Sequence, residues 1–316
     1  MNGSLKKRYV AAALIIIAVI AVPLVYLETK SPKATADNLL LETTDYHIQN
    51  SIPYINDSNP YHLMDVYLPD GDGPFPAIIY IHGGGWVEGN RSDFNSTATL
   101  YAKRGIAGFA IDYTLASANN TAWPANIQDA IAALAYIREN AALYHVDRNR
   151  IAVMGSSAGA QLASLLGTLT GDEPFLSGNR EGSIYSQVCM IINFDGVEDL
   201  EYVGQNRTEN NDLIYKIVSS QFGGVSYSQN PQLWKEASPV TYITAGDPTF
   251  VLIHGVNDRV VPIQIVESFN AKLQAGGVKT HFIKIDGDHD ILTNDAMTLQ
   301  ARGGLDPLLR QAFNLK

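Results

Sequence analysis

Cysteine is almost missing from this chain. A single one, Cys189, in 316 residues excludes an intramolecular disulfide, and no Cys/His cluster at ligand spacing points to a bound metal. Cys189 itself lies in the apolar run VCMII and reads as a small buried hydrophobe. Basic residues are scarce too: 22 Lys and Arg stand against 32 Asp and Glu, a formal net charge of −10. Nucleic acid and anionic membrane surfaces need basic patches on their partners, so neither is expected to bind through charge. Neither G-K-S/T nor a G-x-G-x-x-G opening a helix is present, which removes two common phosphate-cradling loops, and no cofactor is implied. Histidines number only seven, few enough to sort by position.

One long apolar run is present. Tyr9 to Leu27, YVAAALIIIAVIAVPLVYL, carries no charge and is close to the ~20 residues a helix needs to cross a bilayer. Lys6, Lys7 and Arg8 precede it. A cleaved signal has a shorter apolar core of roughly 7–15 residues with a small-x-small site close behind. Here the nearest such site, Ala34-Thr35-Ala36, is well separated from Leu27. Residues 1–27 therefore read as a signal anchor with a transmembrane helix, its N-terminus cytoplasmic and the rest of the chain outside. Cleavage would instead leave a secreted protein. The Pro-containing polar stretch 28–44 reads as a linker, and 45–316 as one folded domain.

From Asp45 on, short apolar runs alternate with helical patterns. Strands are expected over 46–55, 62–69, 75–81, 106–113, 151–154, 188–196, 250–255 and 280–286. The first two read as edge strands joined by a turn at Asn56 to Pro60. FPAIIYI, at 75–81, is almost continuously apolar, as a central strand covered on both faces should be. Helices are expected over 95–103, 124–144, after the 151–154 strand, over 264–274 and through most of 291–313. This rhythm makes a mostly parallel eight-stranded sheet flanked by helices. Two segments break it, 171–185 and 201–234, and both read as insertions able to form a lid.

Reactive residues fall at the ends of these strands. The run IAVM enters Gly155-Ser156-Ser157-Ala158-Gly159 and leaves as an amphipathic helix. G-x-S-x-G between a strand and a helix is a nucleophile elbow: the turn lifts Ser157 above the sheet edge, and the helix dipole with the Ala158 N–H faces any negative charge developing there. His82-Gly83-Gly84-Gly85-Trp86 follows FPAIIYI. Gly84 and Gly85 are candidate oxyanion donors beside Ala158, and His82 reads as a brace for their loop. Behind such an elbow the chain order is serine, acid, histidine, which passes over His47, His62, His82 and His145. His254 and His281 fall inside strands, where they point into packing. His289, just past the last strand, is the candidate base. Asp258 ends the strand FVLIHG and is the candidate orienting acid. Asp247 lies at the wrong edge, Asp286, Asp288 and Asp290 are too near the histidine, and Asp195 and Asp199 are fallbacks.

With H-G-G-G-W, G-S-S-A-G, N-D-R-V-V-P and a late D-H in this order, the chain from about Tyr61 onward resembles the α/β-hydrolase superfamily. Within it, the chain is similar to the hormone-sensitive-lipase-like carboxylesterases and the bacterial feruloyl and acetylxylan esterase-like group. It departs from that group at Ala160, at Asp112-Tyr113-Thr114-Leu115-Ala116 and at Asp195. The resemblance implies an α/β-hydrolase fold and a serine carboxylesterase acting on short-chain or aryl esters of a small-molecule substrate through an acyl-enzyme, with no metal or other cofactor. An arylformamidase-like amidase or a peptidase of the same fold, and a non-catalytic binding protein on it, are the alternatives.

Overall fold

The computed structural model describes residues 34–35, 37–176, 188–207, 212–289 and 291–315. Its strands are β1 (Tyr46–Pro53), β2 (Leu63–Pro69), β3 (Phe75–Ile81), β4 (Ala107–Ile111), β5 (Val146–Ser156), β6 (Met190–Phe194), β7 (Thr249–Gly255) and β8 (Thr280–Ile285). Its α-helices are α1 (Asn95–Ala102), α2 (Ala125–Glu139), α3 (Ala158–Thr168), α4 (Leu200–Asn206), α5 (Leu213–Ser220), α6 (Pro231–Glu236), α7 (Ile263–Ala275) and α8 (Asp295–Phe313). The strands form one eight-stranded sheet in the order β1-β2-β4-β3-β5-β6-β7-β8. Every pairing from β4 to β8 is parallel, while β1 with β2 and β2 with β4 run antiparallel.

The pleat divides each central strand between two cores. In β3, Ala77, Ile79 and Ile81 face a layer containing α2, α3 and α7, whereas Ile78 and Tyr80 face α1 and α8. A strand covered on both faces has no polar side, which explains the unbroken apolar run. One expectation is corrected here. β2 is not an edge strand, because β4 crosses to lie beside it, and six of its seven residues are buried. Its one acid, Asp65, accepts the Ser51 N–H at 2.7 Å and the Arg91 Nε–H at 2.9 Å, so the interior position is tolerated.

Residues 37–44, the end of the stretch read as a linker, pack on the domain. Leu40 is buried, its N–H donates to Asp306 Oδ2 at 3.0 Å, and Arg310 donates to the Leu39 carbonyl at 2.9 Å. Among the described residues no helix is long and apolar enough to cross a membrane; the Tyr9–Leu27 run lies outside them. Asp306, wholly buried in α8, also accepts from Tyr101 Oη at 2.8 Å and Arg302 at 3.0 Å. Removing a buried carboxylate strands its cation and its donors. Asp306→Ala is therefore expected to destabilise the domain by about 3 kcal/mol, read as a lower denaturant midpoint at unchanged slope.

Candidate active site

Ser157 sits between the end of β5 and the start of α3 with φ +51° and ψ −115°, a conformation a non-glycine residue adopts only when its surroundings impose it. The surroundings are tight. A β-carbon at Gly159 would stand 2.1 Å from the Ile81 carbonyl oxygen, at the end of the neighbouring β3. The Ser157 N–H donates across to the Phe194 carbonyl on β6 at 2.7 Å. Both neighbours of β5 thus fix the turn, and α3 begins directly behind the serine.

The loops after β7 and β8 meet over this turn. A β-carbon at Gly255 would lie 2.5 Å from the Asp288 carbonyl oxygen, so only glycine admits the approach. His289 thereby reaches Ser157, with Nε2 2.9 Å from Oγ, while its Nδ1 lies 2.7 Å from Asp258 Oδ2. The carboxylate only accepts, so Nδ1 carries the proton and Nε2 presents its lone pair to the hydroxyl. Asp258 Oδ1 accepts the Val260 and Val261 N–H groups at 2.8 Å each. Asp288 ties the two loops together by accepting the backbone N–H groups of Arg259 at 3.0 Å and His289 at 2.9 Å. The Arg259 N–H, then the His289 N–H and the Arg259 side chain, hold the Asp288 carboxyl down at about 2.

The other titratable candidates are placed elsewhere. His82 stacks on Tyr113 at 4.3 Å between ring centroids, and its Nδ1 is 2.7 Å from the Gly83 carbonyl oxygen. Burial pushes its pKa down, in keeping with a brace. Asp199 caps α4 and pairs with Lys272 at 2.8 Å, and Asp247 closes an exposed turn on Thr244. Asp286 receives the Asn257 amide at 3.3 Å, and Asp290 lies outside the described residues. Asp195 is buried close to Asp258 and His289, with one side-chain atom of each within 4.8 Å of the others. Its Oδ1 accepts the Gly255 N–H at 3.0 Å, and it is Asp258 that bonds the imidazole.

The glycine loop abuts the serine. A β-carbon at Gly83 would stand 3.3 Å from Ser157 Cβ, and both Gly84 and Gly85 have positive φ. Among the described residues neither the Gly84 nor the Gly85 N–H takes a backbone acceptor, and Ala158 opens α3, where amide donors have no intrahelical partner. Trp86, wholly buried, locks the loop by donating Nε1–H to Gln161 Oε1 at 3.2 Å. Gln161 in turn donates to the Ala237 carbonyl at 2.6 Å. Trp86 closes the H-G-G-G-W motif, but no role is read for it there, and Gln161, one helical turn after Ser157, is not singled out.

Of the two expected insertions, 177–185 and 208–211 lie outside the described residues. The remainder of 201–234 forms α4, α5 and α6, knit by Tyr215, Phe222 and Tyr227 around the buried Trp234. Ile217 of α5 would touch a β-carbon at Gly85 at 3.1 Å, so this cap covers the glycine loop. Beside it runs an open groove of about 640 Å³ whose walls include Val87, Asn120, Thr121, Lys216 and Ser219.

A mostly parallel sheet, a serine on a strand-to-helix elbow and an acid and histidine on later loops define an α/β hydrolase. The BD-FAE family model matches residues 64–273, and the chain belongs to that family. It is 31% identical to Esterase LipC of Mycobacterium tuberculosis over 223 residues, 69% of this chain and 53% of LipC. Esterase LipQ of the same organism is 30% identical over 240 residues, 74% of this chain and 55% of LipQ. The chain thus spans about half the length of the curated relatives it matches. Among solved structures, a truncated carbohydrate esterase from gut microbiota superposes with TM-score 0.72 at 26% identity, covering 86% of this chain and 98% of that one.

This geometry predicts selective reactivity at one hydroxyl. An organophosphonate probe should label Ser157 alone, seen as a single mass addition that Ser157→Ala abolishes. Asp258→Asn, which forces the wrong imidazole tautomer, should slow labelling by roughly 10³–10⁴-fold.

Proposed function

We propose that the chain is a serine carboxylesterase that cleaves short-chain or aryl carboxylic esters of small-molecule substrates. The observation that carries this reading is the continuous hydrogen-bond chain from Ser157 Oγ through His289 to Asp258, at 2.9 and 2.7 Å, beside a glycine loop whose Gly84 and Gly85 N–H groups take no backbone acceptor among the described residues. In the acylation step Ser157 Oγ attacks the ester carbonyl carbon as its proton passes to His289 Nε2. The carbonyl oxygen becomes an oxyanion, received by the N–H groups of Gly84, Gly85 and Ala158. Collapse breaks the bond to the alcohol oxygen, which takes the proton from Nε2 and leaves. Water then repeats the sequence on the acyl-enzyme, releasing the acid and restoring the Ser157 hydroxyl. Asp258 keeps the imidazole oriented throughout and stabilises its cationic form.

The esterase names of the relatives support an ester over other carbonyl substrates. Ile217 of the cap stands against Gly85 of the glycine loop, and this close cover supports a short acyl chain. With p-nitrophenyl esters of increasing length, kcat/KM is expected to fall by roughly tenfold or more beyond butyrate, as methylenes lose their room. Ser157→Ala and His289→Ala should each lower kcat by about 10⁴–10⁶-fold. Wild-type rates in either variant would sink the proposal.

We further propose that the Tyr9–Leu27 run anchors the chain in a membrane with the hydrolase domain outside the cytoplasm. Its lack of charge and the preceding Lys6, Lys7 and Arg8 support this orientation. Expressed in full, the chain should sediment with membranes, resist carbonate extraction and lose its domain to protease added outside intact cells. Release by carbonate would contradict the anchor.

A further inference from the structure

A second imidazole lies beneath the Asp258 carboxylate. His254, next to last in β7, is wholly buried. Its Nε2 stands 2.8 Å from the Val261 carbonyl oxygen and 3.3 Å from Asp258 Oδ2. Carbonyl and carboxylate oxygens only accept, so Nε2 carries the ring proton. Burial pushes the His254 pKa below its ordinary value, which suits a neutral ring with a bare Nδ1. That Nδ1 has no hydrogen-bond partner among the described residues and lies 3.5 Å from Asp195 Oδ1.

A ring chosen for packing alone is hard to reconcile with this place. Neighbouring positions of β7 hold Val251, Leu252 and Ile253, all wholly buried, and an aliphatic side chain would leave no polar atom unbonded. What the imidazole adds is one directed N–H. It meets a residue that faces two ways: the Val261 N–H donates to Asp258 Oδ1 at 2.8 Å while the Val261 carbonyl accepts from His254. Holding that carbonyl restrains Val261 from its C-terminal side, and with it the turn that aims the Val260 and Val261 N–H groups. With Oδ1 occupied by those two donors, Oδ2 is the oxygen left for His289.

We propose that His254 is a positioning residue for the reaction at Ser157: its Nε2–H pins the 258–261 turn and so sets the orientation of Asp258 toward His289. The inference deepens the esterase reading and rests on the role given there to Asp258. Three variants test it together, each assayed for kcat and KM with p-nitrophenyl acetate and for thermal stability. His254→Leu is expected to lower kcat by roughly 10–100-fold, the scale of a small misplacement in the reacting geometry, with KM unchanged. His254→Gln, which sets an amide N–H near the position of Nε2, should restore most of that loss. Asp258→Asn is the reference. If it retains wild-type kcat, the acid assignment falls and this inference with it. If it is crippled while His254→Leu keeps wild-type kcat, or if Gln is no better than Leu, the role of His254 alone is overturned. Should His254→Leu not fold, nitrogen-15 NMR of the unsubstituted, histidine-labelled protein decides. A neutral ring protonated at Nε2 supports the proposal, and a ring protonated at Nδ1 overturns it.

Discussion

Two points of near contact at the C-terminal edge of the sheet govern the rest of this structure. At Gly159 a β-carbon would enter the Ile81 carbonyl, and at Gly255 it would enter that of Asp288. The first contact presses the start of α3 against the end of β3, which brings the glycine loop to the serine. The second draws the loop after β8 down onto the loop after β7, which brings His289 to both Ser157 and Asp258. Strain at Ser157, of order 1–3 kcal/mol for such a backbone, persists because the turn is held from both sides by β3 and β6. A methyl group at either glycine would have to displace backbone, since no flexible side chain stands in its way to yield.

From that anchored start, α3 acts as the hub through which the remaining parts are aligned. Gln161, one turn along, bonds Trp86 of the glycine loop on one side and Ala237 at the end of α6 on the other. Ser164, nearly one turn further, accepts the Asn193 side-chain amide at 2.8 Å, and Asn193 also bonds the wholly buried Glu198 ahead of α4. Burial pushes the Glu198 carboxyl up to about 7. The oxyanion loop, the elbow and the cap are therefore coupled through two polar side chains on one buried helix. Directed hydrogen bonds of this kind fix relative position in a way apolar packing does not.

What could be read from the chain and what could not divide along the same physical line. G-S-S-A-G, H-G-G-G-W and the strand runs around them are legible because their chemistry is a local backbone constraint, complete within five to ten residues. Ser157, His289 and Asp258 could be ordered by position once the elbow was recognised, since each falls where a strand ends. Pairings across the fold were hidden. β2 reads as an edge because nothing in LMDVYLP reveals that β4 returns to its open side. His254 reads as packing because its acid partner is revealed only when the turn closes. Asp288 reads as a crowded neighbour of the histidine, whereas it accepts the histidine's own N–H and that of Arg259. Trp86 and Gln161 sit 75 residues apart, and neither announces the other as its partner.

The way Asp258 is held bears on what it can do. A carboxylate side chain taken wholly out of water loses several kcal/mol of solvation, and a cation beside it would be the simplest remedy. None of its bonded neighbours is one: it has two backbone N–H groups, a buried imidazole whose pKa burial lowers, and the Nδ1–H of His289. Arginine or lysine here would neutralise the acid before the reaction began, and the imidazolium formed at His289 would find little field to stabilise it. Dipoles solvate the carboxylate without cancelling its charge, so the field remains directed at the one neighbour that becomes positive when Ser157 gives up its proton. Arg259, the nearest cation in sequence, is turned outward to Asp288 and is 87% exposed. Its charge thus clamps the two loops together from the solvent side and leaves that of Asp258 to the histidine.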